Sequence, residues 1–150
     1  MRLTQNTIDR FANAANRVER VERVERVRAK FAGFNRSLGF FSEPRCPVRG
    51  VVVDVGTDAF FSKVSYGTVA IGFRFLDVLS AEGSASGRVV CTLESPLFTE
   101  TEPVLGCFKF NPQGFTDFEV SEGADPIEVE YMAVEIALHF LHTALERDAP

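Results

Sequence analysis

Residues 17–27 read R-V-E-R-V-E-R-V-E-R-V, a three-residue repeat in an otherwise aperiodic chain. An α-helix advances 3.6 residues per turn, so valines spaced by three fall about 60° behind one another. Val18 and Val27 thus lie on roughly opposite sides of any helix that holds them both. Such a helix cannot rest on one surface along one fixed face. The surrounding apolar residues extend the pattern. Ile8, Phe11, Ala15, Val18, Val21, Val24, Val27, Phe31 and Phe34 are spaced 3, 4, 3, 3, 3, 3, 4, 3. The ends keep the 3-4 rhythm of a helix with a narrow apolar seam. The run of threes between them rotates that seam, as successive stammers do. A helix from Thr4 to about Ala32 follows, with its two halves apolar on different sides. Glu19→Arg23 and Glu22→Arg26 are favourable i,i+4 pairs along it.

Charge is divided just as unevenly. Residues 1–50 carry eleven basic against five acidic residues, a net +6, and residues 51–150 carry five against sixteen, a net −11. The basic segment either packs on the acidic remainder, in its own chain or a second copy, or serves as an arm for an anionic partner. Glu19, Glu22 and Glu25 interrupt the arginines and halve the local field. An ion-paired helix is therefore favoured over a nucleic-acid arm.

Glu43-Pro44-Arg45-Cys46-Pro47 marks a loop, and six strand-like runs follow it: 48–55, 59–66, 68–79, 88–95, 104–110 and 115–120. Val69, Ile71, Phe73 and Phe75 alternate on one face. Residues 80–87, rich in Ser and Gly, read as a flexible loop, and residues 96–103 as an acidic loop exposing Leu97 and Phe98. Asn111-Pro112-Gln113-Gly114 fits a type I turn. Short links between successive strands imply an antiparallel meander. Arg74 and Lys109 interrupt runs of phenylalanine; the alternation places the rings in the core and the cations outside.

Asp125, Pro126 and Glu128 resemble a helix N-cap, first turn and capping box. They predict a long C-terminal helix over 125–147. One of its stripes holds Ile127, Tyr131, Val134, Leu138, Leu141 and Leu145, and another Val129, Ala133, Ile136, Phe140 and Ala144. The whole reads as one α+β domain: an N-terminal helical arm (1–40), an antiparallel meander of five to six strands (47–120), and a long C-terminal helix packed on the sheet.

Chemistry is sparse. No phosphate-loop, dinucleotide or nucleophile-elbow pattern occurs. Both histidines sit on the polar face of the C-terminal helix, where Glu135, His139, His142 and Glu146 form a candidate metal set. A solvated stripe of Glu–His pairs explains the same spacing and is favoured. Cys91 and Cys107 lie inside strands and are expected to be buried. Cys46, in its loop, is expected to be exposed, with no base beside it. No metal or other cofactor is expected.

Three functions remain open. The favoured one is a non-enzymatic, self-associating interaction module, adaptor- or chaperone-like. It would be a homodimer, with a further protein partner, using Val18, Val21, Val24 and Val27 with Arg20, Arg23 and Arg26. The second is a small apolar-ligand site between the sheet and the C-terminal helix. The third is anion or nucleic-acid binding through the arginine-rich helix. The lack of a long apolar run or an apolar leader suggests a cytoplasmic protein without membrane association.

Overall fold

The computed structural model describes residues 4–56, 60–94 and 103–147. The expected acidic loop at 96–103, with Leu97 and Phe98, lies almost wholly outside them. Helix α1 (Gln5–Ser37) begins where the sequence indicates. The Thr4 hydroxyl caps it by accepting the Thr7 amide at 3.2 Å, the usual service of a threonine at this position. Its 33 residues span about 50 Å at 1.5 Å per residue.

The helix runs five residues past its expected end, straight through Gly33. A Cβ at Gly33 would lie 2.4 Å from the Glu130 carboxyl carbon. This glycine therefore permits a close approach between two parts of the chain; it does not end the helix. Beyond it Phe34 and Leu38 are fully buried, and that burial carries the helix on into a 3-10 turn, Leu38–Ser42.

Five strands follow: β1 (Val51–Val55), β2 (Phe61–Tyr66), β3 (Val69–Leu79), β4 (Ala85–Leu93) and β5 (Val104–Phe110). They form one sheet in sequence order, every neighbour antiparallel. This is the expected meander. Two residues join β2 to β3, and Gly67 takes the positive φ of +60° that this tight link requires. The loop expected at 80–87 is shorter, because Ala85, Ser86 and Gly87 already pair with Leu79, Val78 and Asp77.

The run 115–120 is not a strand. After Pro112 the chain turns, with the Gly114 amide donating to the Asn111 carbonyl at 2.8 Å. It then makes only isolated bridges, Phe110 to Thr116 and Phe115 to Glu128.

Those bridges also correct the C-terminal helix. Helix α2 (Ala133–Arg147) has 15 residues and is not long. It starts well after Pro126 because residues 127–129 are already committed elsewhere. The Thr116 amide donates to the Ile127 carbonyl, and the Val129 amide to the Gly114 carbonyl. The Glu128 carboxylate does not cap α2; it accepts the Tyr131 amide at 2.6 Å, within the turn that precedes the helix.

Alternation sorts the sheet into two faces. Val64, Ile71, Phe73, Phe75, Val89, Cys91, Phe108 and Phe110 are buried on one of them. Helices α1 and α2 cover it through rings: Phe31 stacks on Phe75 at 4.8 Å, and Phe34 and Phe140 meet Phe73 edge-on at 5.2 and 5.8 Å. Leu76, Arg88 and Lys109 stand exposed on the other face. Arg74 also lies there, over the Phe61 ring and bonded to Glu94 at 2.8 Å. The Phe-Arg-Phe and Phe-Lys-Phe runs are thus core on one side and solvent on the other.

Candidate interaction surface

Helix α1 divides into two halves. Every residue from 8 to 22 is exposed. Among the described residues the first hydrogen bond to the body is that of Arg23, whose guanidinium donates to the Gly83 carbonyl at 2.7 Å; the Arg20 guanidinium lies beside the same glycine. From there the helix is held along its length. Val27, Phe31 and Phe34 are at most 1% exposed, and Val24 packs against the same core. Arg28 meets Asp77 at 2.5 Å, Lys30 meets Glu128 at 3.1 Å and Glu130 at 3.5 Å, and Arg36 meets Glu130 at 3.7 Å. The hydrogen bond to Glu128, aided by the charges of Glu128 and Glu130, raises the Lys30 pKa above the usual lysine value. The basic half of the helix is therefore bound to the chain's own acidic segment.

The turning seam explains the division. At about 100° per residue, Val24, Val27, Phe31 and Phe34 lie within roughly 80° of one another. Ile8, Phe11, Ala15 and Val18 form a second stripe of similar width, centred on roughly the opposite side. A straight helix can offer only the first stripe to this body. The second points away, with Ile8 45%, Phe11 66% and Val18 57% exposed.

The expected interaction residues separate accordingly. Val24 and Val27 are taken up by the core, whereas Val18 and Val21 stand open. Arg23 also pairs with Glu19 at 3.8 Å. Arg20 and Arg26 are exposed, and Arg26 shares a shallow hollow with Glu19, Glu22 and Arg23. Ile8, Phe11 and Ala15 lie outside the expected set, although their 3-4 spacing marks them in the sequence.

The candidate metal residues divide into two pairs: Glu135 and His139 line one hollow with Phe118 and Ile136, and His142 and Glu146 lie outside it. His142 pairs with Glu146 at 2.8 Å, both largely exposed. The His139 ring sits edge-on to Phe140 and Phe118. Glu135 is exposed. Among the described residues no group of three or more His, Cys, Asp or Glu side chains is placed to hold a metal ion.

Two cysteines reverse their expected places. Cys46 is 2% exposed, its thiol donating to the Val48 carbonyl at 3.3 Å. The loop that holds it folds inward beside the 3-10 turn. Cys107 is exposed, because Gly106 and Phe108 take the inner phase of β5. Cys91 is buried as expected, and burial, with Glu94 nearby, pushes its thiol pKa far above the usual range.

Helix α2 leaves an open groove of about 620 Å³ against β1 and β2, lined by Val48, Val51, Tyr66, Leu138, Leu141 and Leu145 among others. The stripe of α2 that holds Val134, Leu138 and Leu145 is only partly covered, with Leu145 42% exposed, whereas that of Ala133, Ile136, Phe140 and Ala144 is buried. No described helix is long and apolar enough to cross a membrane. No protein-family model matches the chain, and neither a curated protein nor a solved structure matches it significantly.

Proposed function

We propose that this chain is a non-enzymatic interaction module that self-associates as a homodimer through the projecting half of α1. One observation carries this reading: a helical stretch exposed at every residue from 8 to 22, which keeps a regular apolar stripe on the side facing away from its own body. A solvated spacer needs no such stripe, and exposed apolar surface of this kind marks association. Fully burying an aliphatic or Phe side chain stabilises by about 1.5–3 kcal/mol. Ile8, Phe11 and Val18 from each copy therefore support a dimer that depends on concentration. The ordered body would then act as the cargo or docking end of a two-headed particle.

Light scattering across the micromolar range tests the proposal. The expected result is a mass rising towards twice the 16.6 kDa chain. Phe11→Asp should hold the chain monomeric with its circular dichroism spectrum nearly unchanged. A wild-type chain that stays monomeric at high micromolar concentration overturns the proposal.

A second reading, a site for a small apolar ligand, is favoured by the groove beside α2. Its volume and apolar lining suit such a ligand. Saturable binding of an apolar dye, lost in Leu138→Glu and retained in Phe11→Asp, is the expected signature. Binding that follows Phe11 instead would assign the dye to the helix stripe.

A further inference from the structure

We infer that the projecting helices of two copies pair antiparallel about a two-fold axis at Asn13, with Phe11 of each copy packed on Ala15 of the other and Ile8 on Val18. This rests on the self-association proposed above and adds its geometry. Three independent features select the antiparallel arrangement.

The first is length. The stretch of helix ahead of the Arg23 hydrogen bond to the body, counted from its Thr4 cap, spans 4–22, and the apolar stripe on its outward side spans 8–18. Both are centred on residue 13. An antiparallel pair in this register lays Thr4 beside Glu22 of the second copy. It uses the whole projection and stops just short of Arg23, where the second helix meets its own body.

The second is size. In the antiparallel pair each layer matches a larger side chain with a smaller one: Phe11 with Ala15, Ile8 with Val18. A parallel pair in register sets Phe11 against Phe11 and Ala15 against Ala15, crowding one layer and emptying the next. Well-packed helix pairs avoid both faults. Ala12 and Ala14 flank the stripe and let the backbones approach closely.

The third is charge. The spacing 8, 11, 15, 18 continues to Glu22, which sits in the middle of the stripe. A parallel pair would face Glu22 with Glu22. The antiparallel pair brings it to the first turn of the other helix, which contains no acidic residue. A helix N-terminus carries positive partial charge and favours a carboxylate. The helix dipoles also oppose each other in this arrangement.

Disulfide trapping tests the geometry. Two single variants, Ile8→Cys and Val18→Cys, are made in a Cys107→Ser background that removes the exposed thiol. They are mixed, one carrying a mass tag, and oxidised mildly in air. In the antiparallel pair the two Ile8 positions are offset by about 15 Å along the axis, beyond the roughly 7 Å Cα reach of a disulfide. The expected outcome is that unlike chains cross-link and like chains do not. Cross-links between like chains alone overturn the antiparallel pairing while self-association stands. A dimer by light scattering that forms neither cross-link also overturns it, since the helices then do not pair through this stripe. A monomer in light scattering removes the self-association reading, and this inference with it.

Discussion

Val18→Ala and Val27→Ala delete the same two methyl groups from two units of one repeat, and the structure assigns them opposite consequences. Val27 is fully buried in the core, beside Phe31. Losing two buried methyls removes about 1.6 kcal/mol of transfer free energy. The cavity left behind brings the total to about 2–3 kcal/mol. For a chain of this length each kcal/mol moves the melting temperature by about 2–4 °C, so Val27→Ala should melt roughly 4–12 °C early. Val18 is 57% exposed and is not among the residues packed in or against the core. Its replacement leaves no cavity and gains up to about 0.7 kcal/mol of local helix propensity. Urea unfolding followed by circular dichroism, at a concentration where the chain is monomeric, separates the two. Equal midpoints would refute the division of α1 into a packed half and a free half. A larger loss from Val18→Ala would reverse it.

Gly87→Ala should destabilise by about 1–3 kcal/mol through overpacking, read as a lower melting temperature, because the added Cβ would lie 2.4 Å from the Phe110 ring and 2.8 Å from the Phe75 ring. A thiol reagent should modify Cys107 at once in the folded protein and reach Cys46 and Cys91 only on unfolding, as their burial requires; prompt labelling of all three would contradict the placement of Cys46. Lys30→Ala should cost about 1 kcal/mol at neutral pH, the upper range for a partly exposed ion pair. Because the folded Lys30 pKa is raised, its contribution is complete below lysine's usual range and fades as pH climbs through and above it. The gap between wild type and variant in urea should therefore close at strongly alkaline pH, and a gap that widens there would contradict the pairing with Glu128.

Features set by local periodicity were legible in the sequence. The start of α1 near Thr4, its rotating seam and the meander built on Val69, Ile71, Phe73 and Phe75 all follow from residues close together in the chain. Features decided by distant neighbours were not. The capping pattern at Asp125, Pro126 and Glu128 is locally sound, but the amides of Thr116 and Val129 draw residues 127–129 into pairing with 114–116. Gly33 reads as a helix weakener until Glu130 is placed against it. Gly87 reads as loop until Phe75 and Phe110 are seen to occupy the space a side chain would need. Cys107 differs from these. Phe108 and Phe110 facing inward already imply an outward Cys107, so alternation alone locates it. The 3-4 spacing of Ile8, Phe11, Ala15 and Val18 was equally visible. What no local pattern reveals is that the body ends at Arg23, and that boundary turns the stripe into a free surface.

The triplet repeat between the two halves of α1 also works as a dial. Each R-V-E unit removed would shorten the projection by about 4.5 Å and swing the outer stripe by about 60° about the helix axis. Removing three units would bring Ile8, Phe11 and Ala15 round to within roughly 20° of the core-facing side. The same outer sequence would then lean towards its own body. The number of repeats, with no change in any residue outside them, thus sets the direction in which this chain offers itself to another.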